Sequence, residues 1–142
     1  QKMASLPHLN SAYSVEQAVL GERSKVVCLR FGQDFSPDCM KMDEVLSSAA
    51  QAVEQACAIY AVDLREVPEA VAEFQLNAPA QLMFFFRGKP LELDLGRGPQ
   101  RKIDFVLSSR QEFLDMVEAV CRGAQQGMHL IVAPRDYSMQ FR

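Results

Sequence analysis

The side chains with the widest chemical scope in this chain are its four cysteines, Cys28, Cys39, Cys57 and Cys121. Thiol–disulfide exchange uses two cysteines spaced C-x-x-C. The first is exposed and has a lowered pKa, so that a thiolate attacks; the second resolves the mixed disulfide. No two cysteines here have that spacing. The one window placed for such work, at a helix start directly after a buried strand, reads Ser36-Pro37-Asp38-Cys39. Serine stands at the attacking position, where a hydroxyl cannot perform the exchange, and only the resolving position keeps sulfur. No residue is therefore expected to be catalytic.

Cys39 could still act alone. It falls in the first turn of a helix, where the backbone dipole favours a thiolate. Asp34 and Asp38 oppose that charge, and Cys39 lies on the apolar stripe of its helix. The reading is a packed thiol, with a monothiol redox or thiol-sensing role for Cys39 as the alternative. Cys28, Cys57 and Cys121 fall in strand or apolar-helix patterns and read as core. Widely spaced cysteines without a secretory leader in residues 1–10 suit a reducing compartment.

Other chemistries are poorly supplied. His8 and His129 are the only histidines and are far from any cysteine cluster, so no metal site is expected. Gly96-Arg97-Gly98 lacks the third glycine of a phosphate loop. No cofactor is expected. Net charge is −3, with 6 basic and 11 acidic residues in 1–86 and 9 basic and 7 acidic in 87–142. The basic residues Arg97, Arg101 and Lys102 cluster, and Arg122, Arg135 and Arg142 are candidates for the same side. No aromatics interleave with them as a stacking platform, so sequence-specific RNA readout is not indicated. Met40 and Lys41 are expected to point outward from their helix, as ordinary scattered surface residues first and a partner surface as the alternative.

These residues must be positioned by regular elements. Ser14 with Gln17 is a capping box for a first helix that stops near Gly21. Val26 to Phe31 is a nearly buried strand. Ser36 caps a second helix with Pro37 in its first turn, and Cys39, Met42, Leu46, Ala49 and Val53 form its apolar stripe. Cys57 to Val62 is a second strand, Pro68 to Phe74 a short helix, and Leu82 to Phe86 a third strand. After the turn at 87–90, Leu91, Leu93 and Leu95 alternate with Glu92 and Asp94 as an edge strand with one wet face. Residues 97–108 read as irregular. Ser109 with Glu112 is a second capping box, opening a helix with Phe113, Met116, Val117, Val120 and Cys121 inward and with Gly123 and Gly127 loosening its end. Residues 130–142 show no helical period.

A chain of 142 residues suits one domain. The expectation is a domain over 1–129 and a partly flexible C-terminal tail over 130–142. No apolar run is long enough to span a membrane. The order α-β-α-β-α-β-β-α predicts an α/β thioredoxin-like fold. It has a central mixed sheet of about four strands, parallel where helices intervene and closed by an antiparallel hairpin. In that fold Pro79 stands close to the place of a cis-proline beside the thiol motif, and a cis or a trans bond are equally open.

Longer stretches carry a resemblance. Arg30-Phe31-Gly32-Gln33-Asp34, Pro37, and Cys39-Met40-Lys41-Met42-Asp43-Glu44-Val45-Leu46 resemble the DIM family, the small thioredoxin-like proteins of the spliceosomal tri-snRNP. The likeness continues through Leu6-Pro7-His8-Leu9, Ile59-Tyr60-Ala61-Val62-Asp63, Met83-Phe84-Phe85-Phe86-Arg87 and Pro134-Arg135-Asp136-Tyr137-Ser138. Two features depart from it. Ala80 follows Pro79 where family members can carry a cysteine, so Cys39 has no disulfide partner there, and residues 51–56 are alanine-rich.

The resemblance implies a nuclear, non-catalytic component of the pre-mRNA splicing machinery, a tri-snRNP subunit near the 5′ splice site. It implies contacts with a large scaffold protein and a helical-repeat splicing factor, with small nuclear RNA or pre-mRNA close by. It implies no cofactor and no membrane, and a monomer within the large complex is the expectation. An adaptor or chaperone outside splicing is the other alternative. The expected partner-binding residues are Arg97, Arg101, Lys102, Arg122, Arg135, Tyr137, Phe141 and Arg142. Deleting 130–142 is expected to weaken incorporation and to leave the fold intact.

Overall fold

In the computed structural model, which describes residues 5–140, the chain runs α1 (Ala12–Gly21), β1 (Val26–Gly32), α2 (Pro37–Val53), β2 (Cys57–Asp63), α3 (Glu69–Glu73) and β3 (Ala80–Phe86). It continues through β4 (Lys89–Pro90), β5 (Glu92–Asp94), β6 (Pro99–Gln100), β7 (Lys102–Ile103), α4 (Arg110–Gln125) and β8 (Leu130–Val132). The main sheet has the order β2-β1-β3-β4, with β7 also paired to β3. Its faces alternate along β1. Val26 and Cys28 pack with α2 and α4, while Val27, Leu29 and Phe31 pack with α1 and α3. Among the described residues, no helix is long and apolar enough to cross a membrane.

Two serine-capped helix starts follow the sequence and a third does not. Ser36 Oγ accepts from the Cys39 N–H at 3.2 Å and Pro37 fills the first turn, where its missing donor costs nothing. Ser109 Oγ accepts from the Glu112 N–H at 3.1 Å, but the Glu112 carboxylate reaches back to the N–H of Ser108, at 2.5 Å, instead of closing on Ser109. The cap of α1 is Ser11, not Ser14. Ser11 Oγ accepts from the Ser14 N–H at 3.0 Å, and Ser14 Oγ accepts from the Ser11 N–H at 3.1 Å. A hydroxyl at the third helical position closes this box, so Gln17 is not needed.

Strand directions also differ from expectation. β1 and β2 are parallel, but β3 runs antiparallel to β1 although a helix precedes it. The β2–β3 connection passes to the other side of β1 and enters from the opposite end. Only Lys89 and Pro90 of the expected edge hairpin pair with β3. The leucine-rich strand turns away as β5 into a second sheet of order β6-β5-β8, with Leu91, Leu93 and Leu95 all buried. The segment expected to be irregular supplies β6 and β7.

The C-terminal segment is built into this second sheet. β8 pairs in parallel with β5, and Ile131, Ala133 and Tyr137 join the larger core cluster. Gly123 does not loosen α4; a Cβ there would lie 2.7 Å from Ile131 Cγ1, so glycine admits the strand to the helix. Gly127, with φ +80°, ends the turn after α4.

Candidate functional site

The C-terminal ends of β1 and β2 bring the Ser36–Cys39 window against the loop before β3. Gly32 ends β1 with φ +148° and leaves space that a side chain would close; a Cβ there would lie 2.2 Å from Cys39 Sγ and 2.4 Å from the Pro79 carbonyl oxygen. Cys39 is completely buried, and its thiol donates to that carbonyl at 3.4 Å. Burial raises its pKa; the hydrogen bond at Ser36 and the nearby Arg30 charge offset this only in part. Among the described residues there is no cis peptide bond, so Pro79 is trans. The site thus holds one inaccessible thiol that disfavours the thiolate.

Beneath it lies an ionic network. Arg30, in the middle of β1, is wholly buried. Its Nε and Nη2 donate to Asp43 at 2.7 and 2.8 Å, its Nη2 to Asp34 at 2.6 Å and its Nη1 to the Gly32 carbonyl at 3.2 Å. Burial alone would weaken the charge, but the bonds to Asp43 and Asp34 outweigh it and hold the guanidinium protonated. Asp34 extends the network to His8, whose Nε2 lies 2.8 Å from the carboxylate, while His8 Nδ1 lies 2.9 Å from the Leu6 carbonyl. This fastens residues 6–9 beside β2, where Leu9 donates to the Ala61 carbonyl at 3.0 Å.

Arg30 was missed as a site residue, although the signal was visible. A lone arginine inside an otherwise apolar strand demands charged partners. Phe35 was also missed. It is 77% exposed, with the Arg65 guanidinium 5.4 Å from its ring centroid.

The expected basic surface divides into separate places. Arg97 faces Asp104 at 3.6 Å and Arg101 faces Glu92 at 4.0 Å. Lys102 Nζ donates to the Phe74 carbonyl at 3.2 Å and to that of Gln75, closing the end of α3. Arg101 and Lys102 border a groove of about 410 Å³ beside α1, lined also by Val15, Leu20 and Phe85. Arg122 pairs with Glu118 at 3.0 Å in the last turns of α4. Arg135 is at the other end of α4, with Asp115 at 2.9 Å and Glu112 at 3.7 Å. Among the described residues, local carboxylates engage Arg97, Arg101, Arg122 and Arg135.

Tyr137 corrects a further expectation. It is buried, its hydroxyl donates to Glu112 Oε2 at 3.0 Å, and its ring lies 5.2 Å from that of Phe105. It belongs to the core and is not open to a partner. Phe141 and Arg142 lie outside the described residues. Met40, by contrast, is 59% exposed and Lys41 is exposed, as expected, while Met42 is buried.

Solved structures share this architecture. Fasciola hepatica thioredoxin matches with a TM-score of 0.63 at 13% identity, over 80% of this chain and 97% of that one. Chloroplastic thioredoxin z matches with a TM-score of 0.67 at 13% identity, over 87% and 100%. At such identities the likeness shows the fold alone.

Sequence relatives go further. "Mitosis protein dim1" of Schizosaccharomyces pombe is 42% identical over 137 residues, covering 96% of both chains. "Spliceosomal protein DIB1" of Saccharomyces cerevisiae is 37% identical over 133 residues, covering 94% of this chain and 93% of that one. "Thioredoxin-like protein 4B" of Homo sapiens is 32% identical over 131 residues, covering 92% and 88%. The family model described as "Mitosis protein DIM1" matches residues 5–137. On a thioredoxin-like fold, with Ser36 capping α2 ahead of the buried Cys39, the chain belongs to the DIM1 family.

Proposed function

We propose that this chain is a non-catalytic, nuclear subunit of the pre-mRNA splicing machinery, acting through protein–protein contacts within the tri-snRNP close to the 5′ splice site. The observation that carries the non-catalytic part is the state of the motif. Ser36 caps a helix, and Cys39 is buried and donates to Pro79, which supports a window without an attacking thiolate. The splicing part is supported by relatives named as spliceosomal proteins that match nearly the full length of this chain. The partner classes proposed are a large scaffold protein and a helical-repeat splicing factor, with small nuclear or precursor RNA nearby. The protein itself is a monomer there.

The experiment is affinity purification of the tagged chain from nuclear extract, with bound proteins and RNAs identified. Tri-snRNP proteins and their small nuclear RNAs are the expected recovery. Redox enzymes or unrelated clients in their place would overturn the splicing role.

A further inference from the structure

The mouth of the Ser36–Cys39 window carries exposed apolar side chains. Phe35 precedes the cap of α2 and is 77% exposed; Met40 follows Cys39 and is 59% exposed. Pro79, whose carbonyl receives the Cys39 thiol, is exposed as well. An aromatic ring left in water contributes no burial energy to the fold. The Arg65 guanidinium stands over the Phe35 ring, 5.4 Å from its centroid. Arg65 is itself positioned by Asp63, through the backbone N–H at 2.9 Å and the guanidinium at 3.5 Å. Asp63 also accepts from the Asp34 N–H at 3.4 Å, which ties the loop bearing Phe35 to the loop after β2. A pre-positioned aromatic at the rim of a buried charge network has the character of an interface anchor.

The surrounding charge says what kind of partner fits. Asp38, Glu44 and Glu66 reach solvent on the two loops and the first turns of α2, and among the described residues none of them is in an ion pair. Lys41 and Arg65 offset them only in part. RNA phosphates are repelled here. We propose that this mouth docks a protein segment that carries arginine or lysine next to an aromatic or aliphatic anchor. The anchor packs on Phe35 and Met40, and the cations meet Asp38, Glu44 and Glu66. The proposal names a partner chemistry within the splicing reading. It rests on that reading for the assembly, but not for the chemistry of the face.

The test is an NMR titration of the full chain, following the Met40 methyl and Phe35 ring signals. The probes are short synthetic peptides that pair Arg-Arg with Phe or Leu, the same peptides with Glu for Arg, and oligouridylate. The Arg peptides are expected to move both signals. The expected loss of affinity is about tenfold in Phe35→Ala, and comparable in Asp38→Lys/Glu66→Lys, with binding weakening as salt rises. All three positions reach solvent, so the variants are expected to fold. The proposal is overturned if the Arg peptides leave the signals unmoved, if Glu peptides or oligouridylate move them equally, or if Phe35→Ala binds as well as the parent. Recovery with splicing particles is measured separately. A chain that enters them but ignores the Arg peptides defeats this proposal alone. One that binds the peptides but stays out of the particles defeats the splicing reading alone.

Discussion

Arg30 and Asp43 join β1 to α2 by a two-pronged ion pair, with the guanidinium Nε and Nη2 donating to the two carboxylate oxygens at 2.7 and 2.8 Å. The arginine side is fully buried and the aspartate side is partly open to water. Removing the Asp43 carboxylate leaves the buried guanidinium with one carboxylate partner, Asp34, in place of two. Asp43→Ala is expected to destabilise the fold by about 3 kcal/mol, seen as a lower urea midpoint with an unchanged slope. Asp34→Ala is expected to cost less, since Asp43 still engages two of the guanidinium nitrogens.

Asp34 contributes to the acid limb of stability. Burial pushes its pKa up, but hydrogen bonds from Arg30 and His8 outweigh this and hold it below the usual value of 3.8. A carboxylate depressed in the folded state contributes stability that is fully present above its unfolded pKa. That stability is lost as pH falls through the folded value. Urea midpoints measured downward from pH 5 are expected to fall steeply below about pH 4 in the parent chain and less steeply in Asp34→Asn.

Thiol chemistry should be slow. Burial raises Cys39, and it pushes the half-buried Cys121 up to about 11. Both remain protonated at neutral pH, so alkylation by iodoacetamide is expected to be negligible in the native protein at pH 7.5 and complete in urea. Insulin reduction is expected at the background rate for the parent and for Cys39→Ala alike. Turnover that disappears in Cys39→Ala would establish a monothiol enzyme instead.

Gly32→Ala is expected to be among the most damaging single substitutions at this site, at about 3 kcal/mol. The new Cβ meets both Cys39 Sγ and the Pro79 carbonyl well inside contact distance, at a φ that side chains rarely adopt. Thermal denaturation of Gly32→Ala/Cys39→Ala checks the cause. Removing sulfur is expected to restore only part of the loss, because the Pro79 oxygen is main chain and cannot move aside.

The C-terminal segment is structural over its described part. Tyr137→Phe removes one bond to a buried carboxylate and is expected to cost about 1 kcal/mol. Ile131→Ala is expected to cost about 3 kcal/mol, since Ile131 fills the space left by Gly123. Deleting residues 130–142 removes β8 and both of these side chains. It is therefore expected to yield a chain with sharply reduced thermal stability, contrary to the expectation of an intact fold.

Legibility in the sequence followed the strength of local signals. The stripe Cys39, Met42, Leu46 and Ala49 repeats at helical spacing and is buried as expected. Ser36 and Pro37 mark their helix start without ambiguity, and the missing thiol is readable from one residue. The direction of β3 was not readable, because a strand buried on both faces looks alike in either sense. Leu91, Leu93 and Leu95 alternate correctly for any one-faced strand, so their departure to a second sheet left no trace. β8 is three residues long, too short to show a period. The candidate cations were visible as charges, but their partners Asp104, Glu92, Glu118 and Asp115 meet them only through local folding.

The buried guanidinium also constrains how this lineage can diverge. Losing Arg30 alone abandons two carboxylates beside a packed strand, and losing Asp43 alone leaves the buried cation to Asp34 and the Gly32 carbonyl. Single replacements at either position are therefore costly, and an apolar exchange is physically acceptable only where Asp34 changes together with Arg30 and Asp43. Mutational drift should preserve the pair as a block even where surrounding surface residues turn over freely. Covariation of positions 30 and 43 would then record this contact in descendants whose partners have changed.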